Sequence, residues 1–306
     1  MKNYLVTGAA GFIGSHVVDL LLERDDVKKI YVIDFLGEGS NIANLAKDPK
    51  VELIVRDLTS HTWQDRLPQI DYILHLAAES HVDRSIEDPL AFIRSNVIGT
   101  TNVLELAKQD GARMVHVSTD EVYGHLGSDD DSFTEETCLS PRSPYSSSKA
   151  SSDLIALSYG TTFKTNVSVT RCCNNYGPRQ HTEKLIPTVI TSLKQGKKIP
   201  VYGDGKNVRE WIHVVDHAKA IIEVLFNGAQ GEVYNIPGSC ELTNMGLIEK
   251  IVKATKGSSA NVQDYIEYVQ DRAGHDFRYS VSTKHKLSAV ANQREFNLDD
   301  VIKFYA

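Results

Sequence analysis

The chain has 306 residues, 41% hydrophobic and 24% charged, with a net charge of −7, which suits one large globular unit with a smaller lobe. Its 33 basic residues form no cluster able to follow a phosphate backbone, so nucleic acid is not an expected partner, although an anionic small ligand needs only an arginine or two. No stretch approaches the ~18 apolar residues that cross a bilayer, MKNYLVTGAAGFIGS lacks the pattern of a signal peptide, and Cys138, Cys172, Cys173 and Cys240 show no C-x-x-C spacing. A cytoplasmic chain with reduced thiols, no membrane partner and no metal site is expected.

The first strand pattern, YLVTG (4–8), runs into VTGAAGFIGSH (6–16). Gly8, Gly11 and Gly14 permit a tight turn, close backbone approach and close helix–sheet packing. The helix expected over 12–24 then offers free N–H groups to a pyrophosphate, with Phe12 and Ile13 among the contacts. A second strand, IYVID (30–34), ends in Asp34, whose carboxylate can accept from a ribose diol and repels a 2′-phosphate, favouring NAD over NADP. A simple helix cap is the plainer reading of that acid. A weak helix near 41–47, a strand over 51–57, a helix near 60–67 and a strand YILHLAA (72–78) follow. Beyond them lie a long helix over 87–109, a strand RMVHVS (113–118), a helix over 145–159 and a strand NVSVTR (166–171). This alternation predicts an α/β fold with a doubly wound parallel Rossmann sheet, whose ligands bind beyond the carboxyl ends of the strands.

After about 176 turn residues crowd the sequence, and the elements over 215–226, 232–236, 243–254 and 265–270 are shorter. A smaller, mixed C-terminal substrate lobe is expected from 177–207 and 236–306, against a cofactor domain of 1–176 with return segments near 208–235. FNLDDVIKFY reads as a terminal helix.

PYSSSKA (144–150) places Tyr145 and Lys149 at i and i+4 on one helix face. A phenol of pKa about 10 is a poor base, but a neighbouring ammonium and a cationic nicotinamide favour the phenolate. With the glycine trio and a threonine ending strand five, the pair points to removal of a hydroxyl proton while a hydride leaves the same carbon. VSTDEVYG (117–124) then sets Asp120 and Glu121 side by side at a strand end.

The G-x-x-G-x-x-G spacing, TGAAGFIGSH, HLAAESHVDRSI, STDEVYG, YSSSKASSD, RCCNNYGPRQHTEKLIP, VYGDGKNVREWIHVVDH and DRAGHDFRY resemble the extended short-chain dehydrogenases, and within them the dTDP-glucose 4,6-dehydratases, from residue 4 to about 280. The resemblance implies NAD as cofactor and a nucleotide-activated hexose as substrate. The sugar is oxidised at C4, loses water across C5–C6, and regains the hydride at C6. Glu121 is then the C5 base, Asp120 the acid for the leaving hydroxyl, and Thr119 supports the C4 hydroxyl beside Tyr145. Asp57, Leu58, Ala77, Ala78, Ser80 and Asn174 join the cofactor site. Ser80, His81, Asn175, Glu183, Lys184 and Leu185 meet the sugar and diphosphate, and Arg209, Asn244, Arg272 and His275 clamp the nucleotide diphosphate. The resemblance also implies a homodimer through the helices over 87–109 and 145–159. His181-Thr182 departs from the aromatic–proline pair common before E-K-L-I-P. The rival readings are a UDP-sugar 4-epimerase, a decarboxylase, a UDP-glucose 4,6-dehydratase, and a non-catalytic sensor of NAD or sugar nucleotide.

Overall fold

The computed structural model describes every residue except His61, Ser239, Arg272, Ala273, 286–293 and Ala306. Strands β1 (Lys2–Thr7), β2 (Val27–Asp34), β3 (Val51–Val55), β4 (Tyr72–His75), β5 (Arg113–Thr119), β6 (Val167–Cys172) and a late strand, Val233–Ile236, form one seven-stranded sheet. Its order is 3-2-1-4-5-6 followed by the late strand, and every pairing is parallel. The reversal of order between β1 and β4 opens the crevice where such sheets bind ligands.

Period-two alternation splits each strand between two apolar layers. Tyr4, Val6, Val32, Leu74 and Val115 face α1 (Phe12–Leu22) and the helix Val214–Asn227. Leu5, Ile33, Ile73 and Met114 pack on the other side with Val103, Leu104 and Ala156, from the helices Thr100–Asp110 and Pro144–Phe163. Leu74 is wholly buried between strands and helices, so truncation to alanine costs about 2–5 kcal/mol. A third core unites Tyr176, Trp211, Ile248, Ile251 and Leu298. It belongs to a smaller lobe built on a three-stranded sheet (Cys240–Thr243, Val208–His213, Asn174–Tyr176) and a parallel pair (Ile266–Val269, Ile199–Tyr202).

Three local expectations need correction. The segment near 41–47 contains only a 3₁₀ turn, Ile42–Asn44, because the Asn41 side chain caps Ala43 N at 2.9 Å and Leu45 is already extended. The described residues of 60–67 form turns: Asp57 folds back on Thr59 N at 2.8 Å, and Pro68 follows. The long helix begins late and is not uniform. A short helix α2 (Val82–Glu87) stops at Asp88, and Pro89 opens α3 (Pro89–Phe92), where a missing N–H costs nothing. A π-helical stretch, Ile93–Gly99, leads into α4 (Thr100–Asp110). By contrast α5 (Pro144–Phe163) starts sharply, with a reciprocal Ser143–Ser146 capping box, and the terminal helix runs Leu298–Tyr305.

Candidate active site

A cavity of about 660 Å³ lies beyond the carboxyl ends of the large sheet, bounded by the glycine turn, the ends of β2, β4, β5 and β6, and the start of α5. Gly8 has φ of +69°, and a Cβ there would sit 2.7 Å from the Ala77 backbone; a Cβ on Gly14 would sit 2.5 Å from Gly8 O. The turn is thus closed to any side chain, and it leaves a backbone-lined floor at the first turn of α1. Asp34 braces this floor: its Oδ2 accepts from Ala10 N (2.9 Å), and its Oδ1 from Leu36 N (2.8 Å) and Ser40 Oγ (2.9 Å). A carboxylate offers about four acceptor positions, so one remains for a ribose hydroxyl. Asp34 is the N-cap of no helix among the described residues; α1 is entered through Gly11, and the carboxylate braces the turn while keeping a position for the cofactor. Phe12, Ile13, Asp57, Leu58, Ala77, Ala78, Ser80 and Asn174 line the same cavity. Glycine floor, free acceptor and the Tyr145–Lys149 pair on the cavity wall together fit a dinucleotide.

β4 ends three residues before the sequence pattern suggests, because Leu76 N and Ala77 N turn inward to Thr7 Oγ1 at 3.2 Å each. Behind this turn lies a buried polar chain. Thr7 Oγ1 lies 2.7 Å from His75 Nδ1, and His75 Nε2 lies 2.9 Å from Thr100 Oγ1. Thr100 spends its own proton on Asn96 O (2.6 Å), so His75 must donate through Nε2 and accept at Nδ1. Burial holds this imidazole neutral, well below its usual range. Asn96, in the π-helical stretch, grips Glu79 N and O (2.8 and 2.9 Å) and donates to Ser148 Oγ (2.9 Å). Ser148 in turn donates to Tyr145 O (2.7 Å). The irregular helix thus links the glycine-turn strand to α5, and π-bulges are frequent at functional sites.

Lys149 and Tyr145 are buried on one face of α5. Lys149 Nζ donates to Val117 O at 2.9 Å, and burial brings its pKa down to about 8. Burial first, then Glu121, pushes the Tyr145 phenol well up, while the neighbouring Thr119 hydroxyl pulls the other way. Thr119 ends β5, and its hydroxyl donates to Asp120 Oδ1 (3.2 Å) and accepts from Glu121 N (3.3 Å). Asp120 is 2% exposed. Burial, reinforced by Glu121 and then Glu210, raises its carboxyl well above the carboxylate range, and among the described residues its Oδ2 has no hydrogen-bond partner. One acid held neutral beside a half-buried second carboxyl is the arrangement that acid–base division of labour needs.

Lys184, Leu185 and Asn175 also line the cavity. The Asn175 amide is already engaged, with Oδ1 at 2.9 Å from His217 Nδ1 and Nδ2 donating to Cys173 O (3.1 Å). His81 and Glu183 pair at 3.4 Å and are not part of its lining. Neither are Arg209, Asn244 and His275, which belong to the smaller lobe. The Arg209 guanidinium donates to Val208, Phe277 and Asp276 carbonyls and stacks over Tyr279 at 4.4 Å. Asn244 N donates to Asn207 O (2.9 Å), and Asn207 Nδ2 to Asp276 O (3.1 Å), drawing these segments together. Arg272 lies outside the described residues. Sequence reading missed Arg56, Glu79, Arg94, Gln180 and Trp211 as lining residues. Only Arg56 and Glu79 carried a signal, since each flanks a motif at a strand end.

Residues 5–303 match the family described as GDP-mannose 4,6 dehydratase. The chain is 46% identical to a dTDP-glucose 4,6-dehydratase of Streptomyces antibioticus, over 91% of this chain and 84% of that one. It is 44% identical to the low-salt glycan biosynthesis protein Agl12 of Haloferax volcanii, over 97% and 95%. A crystal structure of DesIV, a dTDP-glucose 4,6-dehydratase from Streptomyces venezuelae with NAD and dTDP bound, superposes with a TM-score of 0.93 at 43% identity, covering 99% of this chain and 95% of that one. By this extent of likeness the chain belongs to the GDP-mannose 4,6 dehydratase family, with dTDP-glucose 4,6-dehydratases among its relatives.

Proposed function

We propose that the protein is a hydro-lyase that converts dTDP-glucose to dTDP-4-keto-6-deoxyglucose with NAD as its cofactor. The observation that carries the reading is the pair at the end of β5: Asp120, buried with its carboxyl held neutral, beside Glu121 in the cavity that Tyr145 and Lys149 line. An epimerase needs no such pair, and a sensor needs none of the four.

When bound, NAD supplies the acceptor for a hydride from C4 and its donor to C6. Tyr145 takes the C4 hydroxyl proton as its phenolate, a form that Lys149 and the cationic nicotinamide would favour against the burial that raises the phenol. With a ketone at C4 the C5 proton is acidic, and Glu121 removes it. Asp120 gives its proton to the C6 hydroxyl, which leaves as water, and Glu121 later returns a proton to C5. Tyr145 then holds one proton more than it began with and Asp120 one fewer. The reaction as a whole releases none, so a proton passes from one to the other before the next turnover. The Thr119 hydroxyl, which donates to Asp120 Oδ1 at 3.2 Å and acts on the Tyr145 phenol, is the assigned bridge. General acid–base help of this kind is worth about 10²–10⁴-fold per group.

The cofactor is assigned to the glycine turn with Phe12 and Ile13, to Asp34, Asp57, Leu58, Ala77, Ala78, Ser80 and Asn174, and to Tyr145 and Lys149. The sugar is assigned to Ser80, His81, Asn175, Glu183, Lys184 and Leu185. Arg209, Asn244, Arg272 and His275 are assigned to the nucleotide diphosphate on the resemblance alone, since the Arg209 donors meet main-chain carbonyls in this chain. On this reading 177–207 and 236–306 make up the substrate lobe, joined by the strands Asn174–Tyr176 and Val208–His213, which pair in its three-stranded sheet. A homodimer through α3–α5 is supported by the apolar side chains those elements expose, Leu90, Ile93, Ile98, Leu154 and Phe163. The four cysteines are all free, as a reducing cytoplasm requires, and no helix among the described residues is long and apolar enough to cross a membrane.

The test is incubation with dTDP-glucose and with UDP-glucose separately, reading the alkali-induced absorbance of a 4-keto-6-deoxy product. Deuterium placed at C4 is expected on C6. Product from UDP-glucose alone would move the nucleobase assignment, and deuterium lost to solvent would overturn the mechanism.

A further inference from the structure

Outside the catalytic groups, one cluster of charges stands at the cavity's rim. Arg84, on α2, donates Nη1 to Glu38 Oε2 at 2.7 Å and Nη2 to Glu183 Oε2 at 2.8 Å. Glu38 belongs to the loop that follows Asp34, and Glu183 to the loop that opens the helix Leu185–Gln195. Both loops line the cavity, the first through Gly37, Glu38 and Ser40, the second through His181, Lys184 and Leu185. They also meet directly, since a Cβ on Gly39 would lie 3.9 Å from His181 Cδ2. His181 Nδ1 and His81 Nε2 each approach Glu183 at 3.4 Å, and Lys184 Nζ donates to Ser80 O at 3.3 Å. In the first loop Leu36 has φ of +58°, a conformation that a bulky residue avoids, and Asp34 holds it through Leu36 N and Ser40 Oγ.

We propose that Arg84 is a positioning residue that clasps the cofactor-side loop to the sugar-side loop, so that the dinucleotide stays in place through the whole reaction. The inference rests on the function proposed above, because only a cycle that returns its hydride to the same substrate is broken by early loss of reduced cofactor. The fork of a guanidinium suits a clasp, since two donors on one rigid plane reach two carboxylates on separate loops, which a lysine cannot do. Each pair is partly exposed, so each alone contributes little. Two that share one guanidinium together slow cofactor escape about tenfold.

The test is the exchange rate of bound, isotopically labelled NAD against excess unlabelled NAD in the holoenzyme, with no sugar nucleotide present. Arg84→Met keeps the apolar stem and removes the fork; exchange should quicken about tenfold. Glu38→Gln should quicken it about threefold in the unmodified protein and not at all in the Arg84→Met background. A change confined to folding would produce no such dependence of one variant on the other. High salt should speed exchange in the unmodified protein and leave Arg84→Met nearly unchanged. Exchange within twofold of the unmodified rate in Arg84→Met, or equal effects of Glu38→Gln in both backgrounds, would overturn the clasp. If the unmodified protein neither carries nor takes up NAD, the proposed function itself fails, and the clasp with it.

Discussion

Replacing Asp120 with asparagine separates the burial of this carboxyl from its chemistry. In the folded chain burial and two neighbouring carboxyls raise its pKa well above the ordinary value of 3.8, whereas in the unfolded chain water restores that value. The native state therefore keeps a proton that the unfolded state gives up at any pH between the two values. Stability from this group is fully present below about 3.8 and falls as pH rises toward the folded pKa, at about 1.4 kcal/mol per pH unit. Asparagine has nearly the same shape and no charge to bury. Asp120→Asn should therefore gain on the unmodified protein by that amount per pH unit above about 4, or about 2 °C in Tm for a chain of this length. Catalysis should move the opposite way: bound NAD should still be reduced on mixing with substrate, while product formation falls about 10²–10⁴-fold. Calorimetric scans of the two proteins at half-unit steps from pH 4.5 to 6.5, with stopped-flow absorbance at one pH, provide both measurements. A pH-independent difference in Tm would mean that Asp120 is ionised in the folded protein and cannot protonate a leaving hydroxyl.

Glu121→Gln should reduce bound NAD and stop before water is lost, seen as a stable nicotinamide absorbance without keto-sugar; ordinary turnover would refute its role as base. Gly14→Ala forces a methyl to within 2.5 Å of Gly8 O, so it should cost about 1–3 kcal/mol of stability and weaken NAD binding. A fluorescence titration showing unchanged affinity would count against the pyrophosphate assignment. Asp34→Ala leaves Ala10 N, Leu36 N and Ser40 Oγ without their acceptor; NAD affinity should fall at least about tenfold, since hydrogen bonds to a charged group are worth about 1.5–3 kcal/mol each. Leu154→Glu, at an exposed apolar position of α5, should yield monomers in size-exclusion chromatography with light scattering, and an unchanged dimer would move the interface elsewhere.

Much of the sheet could be read directly because its strands are buried on both faces and carry dense apolar residues, as in Ile30–Ile33, even where polar side chains interrupt them, as His116 and Ser118 do in Arg113–Thr119. The glycine turn and the Tyr145–Lys149 pair are equally local, each contained in one strand–turn–helix or one helical turn. What escaped was decided at a distance. Helical periodicity over 87–109 gave no sign of the π-helical stretch, which accompanies the grip of Asn96 on Glu79 and Ser148, partners 17 and 52 residues away. The early end of β4 depends on Thr7, 69 residues upstream of Leu76. Arg84 looks like any solvated arginine until the fold brings Glu38 and Glu183 to it. Arg209 reads as a phosphate ligand by type, yet in the folded chain its donors meet main-chain carbonyls.

Beneath the catalytic strand, Asp153 and Arg171 pair at 2.8 Å, both almost wholly buried, and Arg171 extends the chain through Tyr123 to Asn235 at 2.9 and 2.7 Å. Mobile ions cannot enter there, so this underpinning is blind to ionic strength, while the doorway held by Arg84 is not. A salt titration therefore acts as a scalpel: it loosens the entrance and leaves the foundation of the chemistry untouched. Whatever brine does to turnover in this protein reports on the opening and on the capture of its anionic substrate.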